Sequence, residues 1–182
     1  MIAHCIFYGN KYPYSNVVYL QREFKKYDVI LKCEHIKDFS IIKRHWHKLK
    51  FFNNSNEDTI IIDIDQTITG DISDMINYPV SENELVTYKN WSNGCPINGG
   101  WYKFKAGSLQ YVWDKFSSNI DKWQHHYYNN GVVHYEYYGE QNFVYDTVIE
   151  NGGKITTMPE KWYGKYKINE DTKIIHHAGV DK

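Results

Sequence analysis

Residues 59–65, Thr-Ile-Ile-Ile-Asp-Ile-Asp, restrict the fold more than any other stretch of this chain. Consecutive isoleucines leave no polar side for a half-exposed strand, so the segment needs apolar cover on both faces of its sheet. A strand covered in that way belongs to a layered α/β domain. The apolar run ends in two carboxylates one residue apart, and the chain turns soon after at Gly70. In open α/β sheets ligands lie beyond the carboxyl ends of the strands, where Asp63 and Asp65 would stand. The pair suits either of two chemistries: holding a metal, or attacking a phosphate.

The rest of the pattern agrees with a layered domain. Residues 2–7 read as a buried first strand, and Ser15 as the cap of a helix with Val18 and Phe24 on one side. Asp-Val-Ile-Leu-Lys-Cys reads as a second strand. Ile42, Trp46, Leu49 and Phe52 recur at helical spacing, which predicts an amphipathic helix over about 40–52. The 59–64 strand follows, then strands in Glu84–Trp91 and Ile97–Lys105. Leu109, Val112, Trp113 and Phe116 predict a helix capped by Ser108. Residues 140–153 read as a helix stopped by Gly152 and Gly153, and strands follow near 154–159 and 172–177. Strands alternating with helices predict a mainly parallel central sheet flanked by helices. A length of 182 residues without repeat or linker predicts one domain over 1–182.

Composition narrows the partners. The 21 basic and 22 acidic side chains balance to −1, which offers no electrostatic footprint for nucleic acid. No apolar run approaches the roughly 18 residues that a membrane span needs. The opening residues lack the basic-then-apolar layout of a secretory leader. Cys5, Cys33 and Cys95 share no metal-type spacing and suit reduced thiols, so the expected location is a cytoplasm, of the cell or of an infected host cell. Tyr is abundant at 17 residues and Trp at 6, and for any single tyrosine composition alone explains its presence.

Asp63-Ile64-Asp65-Gln66-Thr67 fits the D-x-D-x-T signature of haloacid-dehalogenase phosphatases, with Asp63 as nucleophile and Asp65 as general acid/base. That chemistry also needs a later acidic pair for magnesium, and the strand near 172–176 ends in histidines instead. The same stretch resembles the metal-binding D-x-D of GT-A glycosyltransferases, especially family 8 and its short viral and bacterial relatives. Further matches follow in the family's order. Asn98-Gly99-Gly100 resembles its N-x-G strand, Glu140-Gln141 its acidic-Gln helix start, and His177, Gly179 and Lys182 its H-x-G-x-x-K motif.

The resemblance implies a single GT-A domain, a Rossmann-like nucleotide-diphospho-sugar transferase. It implies metal-dependent hexosyl transfer, with retention of anomeric configuration, from a UDP- or GDP-sugar to a glycan, protein or small-molecule acceptor. Asp63, Asp65 and His177 would hold the ion; Mn²⁺ suits a shell of mixed oxygen and imidazole better than Mg²⁺. His176 would alternate away from it. Gly179 and Lys182 would meet the diphosphate, and Tyr8, Gly9 and Asn10 the nucleoside. Lys48 would contact the donor, and Asn98 and Gly99 its sugar, with Trp91 and Trp101 nearby either stacking on a pyranose or filling core. Gln141 would stabilise the reacting face, with Glu140 as base if the reaction inverted. His125, His126 and His134 carry no such frame. The phosphatase and a catalytically inactive nucleotide-sugar or glycan-binding module are the alternatives.

Overall fold

The computed structural model describes residues 1–9, 12–53, 56–91, 94–129, 139–165 and 168–177. Strands β1 (Ile2–Tyr8), β2 (Ile30–Ile36) and β3 (Thr59–Ile62) pair in parallel, with β1 in the middle. β4 (Gln66–Ile68) leaves this sheet, while β5 (Glu84–Lys89), β6 (Ile97–Phe104) and β7 (Lys154–Thr157) complete it. The order is β2-β1-β3-β6-β5-β7. β6 runs antiparallel to both β3 and β5, and β5 and β7 are parallel, so β6 alone opposes the other five. A second, three-stranded sheet pairs β4 with β9 (Ile174–His176) and β9 with β8 (Tyr163–Gly164).

Alternation through the isoleucine run explains why it must be covered twice. Ile60 and Ile62 join Leu20 and Phe24 of α1 (Tyr14–Lys25) on one face. Ile61 faces the other way, toward Phe116 of α3 (Gln110–Ser118) and Phe143 of α5 (Glu140–Glu150). Trp101 and Tyr102 of β6 split between the two layers in the same manner, and both are fully buried. Trp101 therefore fills core.

Local details depart from the sequence expectations. α1 starts at Tyr14 after Pro13, so Ser15 lies inside the helix and caps nothing. Its buried face is Val17, Leu20 and Phe24, and Val18 is 52% exposed. Ser108 Oγ donates to the Lys105 carbonyl 3.1 Å away instead of capping α3. The expected helix at 40–52 is a 3₁₀-helix, Arg44–Phe52, that begins at Arg44 with φ +42°. It still buries Trp46, Leu49 and Phe52, because the side-chain spacing of three satisfies a 3₁₀ turn as well as an α turn. α2 (Ser73–Ile76), α4 (Ile120–Asn129) and a second 3₁₀ turn, Glu160–Trp162, complete the described helices.

The edge pairing of β5 with β7 carries a pH dependence. Glu84 is buried opposite Lys154 in register and accepts bonds from Ser81 N at 2.8 Å, from Lys154 Nζ at 2.8 Å and from Thr156 Oγ1. Burial opposes ionisation, but Lys154, Thr156 and Ser81 outweigh it and hold the carboxyl at about 2, against 4.5 when unfolded. On acidification the unfolded chain protonates first. The contribution is therefore complete above pH 4.5 and is lost as pH falls toward 2, at most a few kcal/mol. We expect the urea midpoint of wild type to fall more steeply between pH 5 and 3 than that of Glu84→Gln; parallel curves would rule this out.

Candidate metal and donor site

β3 ends at Ile62, and the next residues place two carboxylates beyond its carboxyl end. β6 runs the opposite way, so its first residues lie at the same edge. Asp63 N donates to the Gly100 carbonyl at 3.2 Å, which ties the turn to that strand. β9 arrives from the small sheet with Gln66 opposite His176 and Thr67 opposite Ile175. Directly opposed residues of an antiparallel pair share a face, so His176 falls on the Gln66 side and Ile175 on the Thr67 side. The ligand atoms of Asp63, Asp65 and His176 all lie within 4.8 Å of one another.

The histidine turned toward the two carboxylates is His176, not the expected His177. His177 Nε2 lies 2.9 Å from Thr67 Oγ1, while its backbone N–H donates to the Asp65 carbonyl at 2.9 Å. His176 turns inward, with Nε2 3.2 Å from Asp65 Oδ1 and 3.6 Å from Asp63 Oδ2. Neither ring nitrogen has a well-formed hydrogen bond although the side chain is 2% exposed. Buried polar atoms are seldom left so, and an imidazole nitrogen directed at two carboxylates offers a divalent cation three ligand atoms at one point. Burial opposes the Asp65 charge, yet His176 and the Tyr12 hydroxyl, donating to Oδ2 at 3.1 Å, hold its carboxyl down at about 2. The donor set of two carboxylate oxygens and one imidazole fits Mn²⁺ or Mg²⁺. Among the described residues no second group of three or more His, Cys, Asp or Glu side chains gathers within ligating distance.

Lys48 anchors the other side of Asp63. Its ammonium lies 2.9 Å from Asp63 Oδ1, 3.0 Å from Glu140 Oε1 and 2.9 Å from the Gly99 carbonyl, a full set for three donors. Burial pulls its pKa down, but Asp63 and Glu140 prevail and push it above the usual lysine value. Tyr102 OH adds a bond to Glu140 Oε1 at 3.3 Å. Next along α5, Gln141 Oε1 accepts from Gly99 N at 3.1 Å, and Asn98 Oδ1 accepts from Gly100 N at 2.9 Å. Lys48, Asp63, Asn98, Gly99, Glu140 and Gln141 border a cavity of about 380 Å³, which Tyr8, His45 and Tyr12 also line. Tyr8 OH and His45 Nε2 are 3.0 Å apart. Gly9, at φ +63°, borders an adjoining cleft. Asn10, His134, Gly179 and Lys182 lie outside the described residues.

Both glycines of β6 are required by close approach. A Cβ on Gly99 would stand 2.6 Å from Glu140 Oε1, and one on Gly100 2.8 Å from His176 Cε1 and from Gln66 Nε2. We expect Gly100→Ala to cost roughly 1–3 kcal/mol and to weaken Mn²⁺ binding by displacing the His176 ring. A denaturation midpoint and a Mn²⁺ titration both equal to wild type would show that the neighbours yield freely.

The sequence reading missed His176, Gly100 and the Gln66 bridge, in which Nε2 donates to the Gly100 carbonyl and Oε1 accepts from Tyr88 OH at 3.3 Å. The one available signal was parity. Residues of opposite parity in a strand face opposite sides, but deciding which side was inward required the pairing with β4.

No family model matches this chain, and no curated protein matches it in sequence. Solved structures do match in three dimensions. The glycosyltransferase GlyE of Streptococcus pneumoniae gives a TM-score of 0.66 at 11% identity, covering 100% of this chain and 55% of GlyE. Galactosyltransferase LgtC, crystallised with donor and acceptor sugar analogues, gives 0.61 at 11% identity, covering 98% and 87%. Mouse xyloside xylosyltransferase 1 gives 0.53 at 12% identity, covering 98% and 85%. The chain spans about half the length of the GlyE structures it matches. Its fold is the GT-A fold of these enzymes.

Proposed function

We propose that residues 1–182 form a single GT-A domain that transfers a sugar from a nucleoside-diphosphate sugar to an acceptor in a metal-dependent reaction. One observation carries the reading: a buried imidazole nitrogen points at two carboxylates at the carboxyl end of β3. A divalent cation held by Asp63, Asp65 and His176, with Mn²⁺ preferred, would stabilise the negative charge that develops on the leaving diphosphate.

The chain's own residues set up that step. Lys48 fixes Asp63, and Tyr12 orients Asp65. Gly179 and Lys182 are assigned to the diphosphate, Tyr8, Gly9 and Asn10 to the nucleoside, and Asn98 and Gly99 to the donor sugar. Glu140 is buried against Lys48 and Tyr102, so it is poorly placed to take a proton from an acceptor hydroxyl. Gln141 lines the cavity as an uncharged polar group. That arrangement favours retention, with the departing diphosphate accepting the proton.

Thermal unfolding with UDP, GDP or phosphate, each with and without Mn²⁺, tests the reading. A nucleoside diphosphate at 100 times its Kd adds about 2.7 kcal/mol, or roughly 5–10 °C for a domain of this size. The shift should require Mn²⁺, and UDP-sugar turnover should follow. Stabilisation by phosphate alone, with none from either nucleotide, would point back to phosphoryl chemistry.

A further inference from the structure

We propose that Trp91 is the platform on which a saccharide acceptor stacks, a reading that rests on the glycosyltransferase function above and names the acceptor's chemical class. Sheet topology places it. β1, β3 and β5 run in one direction, so the residues that follow them emerge at one edge. Tyr8 ends β1, Asp63 and Asp65 follow β3, and Trp91 follows β5. In the order β1-β3-β6-β5 the carboxylates therefore stand between Tyr8 and Trp91. β5 is two strand spacings from β3, about 10 Å, so Trp91 follows on the side of the metal ligands away from the nucleoside loop.

Contact supports the placement. The Trp91 ring lies 5.5 Å from the His176 ring, and Tyr163 and Tyr88 back it at 6.0 Å and 6.4 Å. The indole is 38% exposed, whereas Trp46 and Trp101 are fully buried, so it is not consumed by the core. Its segment is held at several points. Asn90 N donates to the Pro96 carbonyl at 3.1 Å, Asn142 Nδ2 to the Gly94 carbonyl at 2.9 Å, and Lys89 N to Tyr163 OH at 2.8 Å. A large, partly exposed aromatic ring thus stands beside His176. Pyranoses present polar edges and a C–H face, and that face matches the electron-rich surface of an indole. An acceptor without an apolar face would gain little from packing on the ring, and the donor's base is assigned to the loop after β1.

The test uses the full chain as wild type, Trp91→Phe and Trp91→Ala. Lactose, cellobiose, maltose and diacetylchitobiose are titrated by saturation-transfer NMR in the presence of Mn²⁺ and UDP, and UDP binding in Mn²⁺ is measured separately. At least one disaccharide should bind wild type, lose about tenfold in affinity in Trp91→Ala and recover to within about threefold in Trp91→Phe. UDP affinity should stay within about twofold in both variants. No disaccharide bound by wild type, or equal binding by Trp91→Ala, overturns the proposal. So does a loss of UDP binding in Trp91→Ala as large as its loss of sugar binding, which would mean that the ring supports His176 or stacks on the base. Failure of wild type to bind UDP with Mn²⁺ instead overturns the glycosyltransferase reading, and the disaccharide titration without nucleotide then decides the Trp91 contact by the same tenfold criterion.

Discussion

Replacing His176 with alanine should abolish Mn²⁺-dependent binding of UDP, while replacing its neighbour His177 should leave that binding within about threefold of wild type. The contrast follows from strand pairing. His176 shares its face with Gln66 and points at both carboxylates, whereas His177 Nε2 sits 2.9 Å from Thr67 Oγ1 on the opposite side. Removing one of three protein ligands leaves a shell that water completes poorly, and we expect a loss of about 100-fold or more. Asp65→Ala should behave as His176→Ala does. His177→Ala should cost only about 1 kcal/mol of stability, the worth of one hydrogen bond. Calorimetry of UDP binding, with Mn²⁺ binding followed by electron paramagnetic resonance, separates ion loss from nucleotide loss. Equal losses for the two histidines, or a loss confined to His177→Ala, would defeat the assignment of His176.

Lys48→Met should be among the most destabilising single substitutions on the polar side of this fold. The ammonium is 2% exposed and holds Asp63, Glu140 and the Gly99 carbonyl together. Removing it leaves two carboxylates facing each other without a counter-charge, and breaking such a buried pair costs about 3–5 kcal/mol. For a domain of this size that is roughly 10 °C in Tm. Adding Glu140→Gln should restore part of the loss, because the two sites share one interaction and are not additive. Urea denaturation of the two single variants and the double variant measures the coupling. A Lys48→Met loss under about 1 kcal/mol would show that water or a rearranged side chain already screens the pair.

Much of this architecture could be read from neighbouring residues alone. Ile60, Ile61 and Ile62 leave no polar face, so burial from both sides was implied before any pairing was known. The end of α5 was equally plain: Gly152 adopts φ +68°, a conformation that glycine enters without strain. The two aspartates after an apolar strand announced a charged site at a sheet edge. Caps were harder to read. Ser15 and Ser108 are sound N-cap residues by type, but the backbone places the helix starts elsewhere, and capping depends on that geometry and not on composition.

What remained closed to the sequence were the choices between equivalent residues. His176 and His177 are adjacent and chemically identical, and only the pairing of β9 with the three-residue strand β4 decides which one faces Asp63 and Asp65. Trp91 and Trp101 are likewise the same residue type, yet Trp101 packs between Phe24 and Tyr88 while Trp91 reaches solvent beside His176. The resemblance implies that Lys48 contacts the donor, but its ion pairs with Asp63 and Glu140 form only when distant points of the chain close on it. The sequence by itself determined the layered α/β class and the acidic edge, because apolar periodicity and turn chemistry act between near neighbours. Which histidine faces the carboxylates, the buried ion cluster and the exposure of Trp91 belong to the tertiary structure, because each depends on register and contacts between residues that only folding brings together.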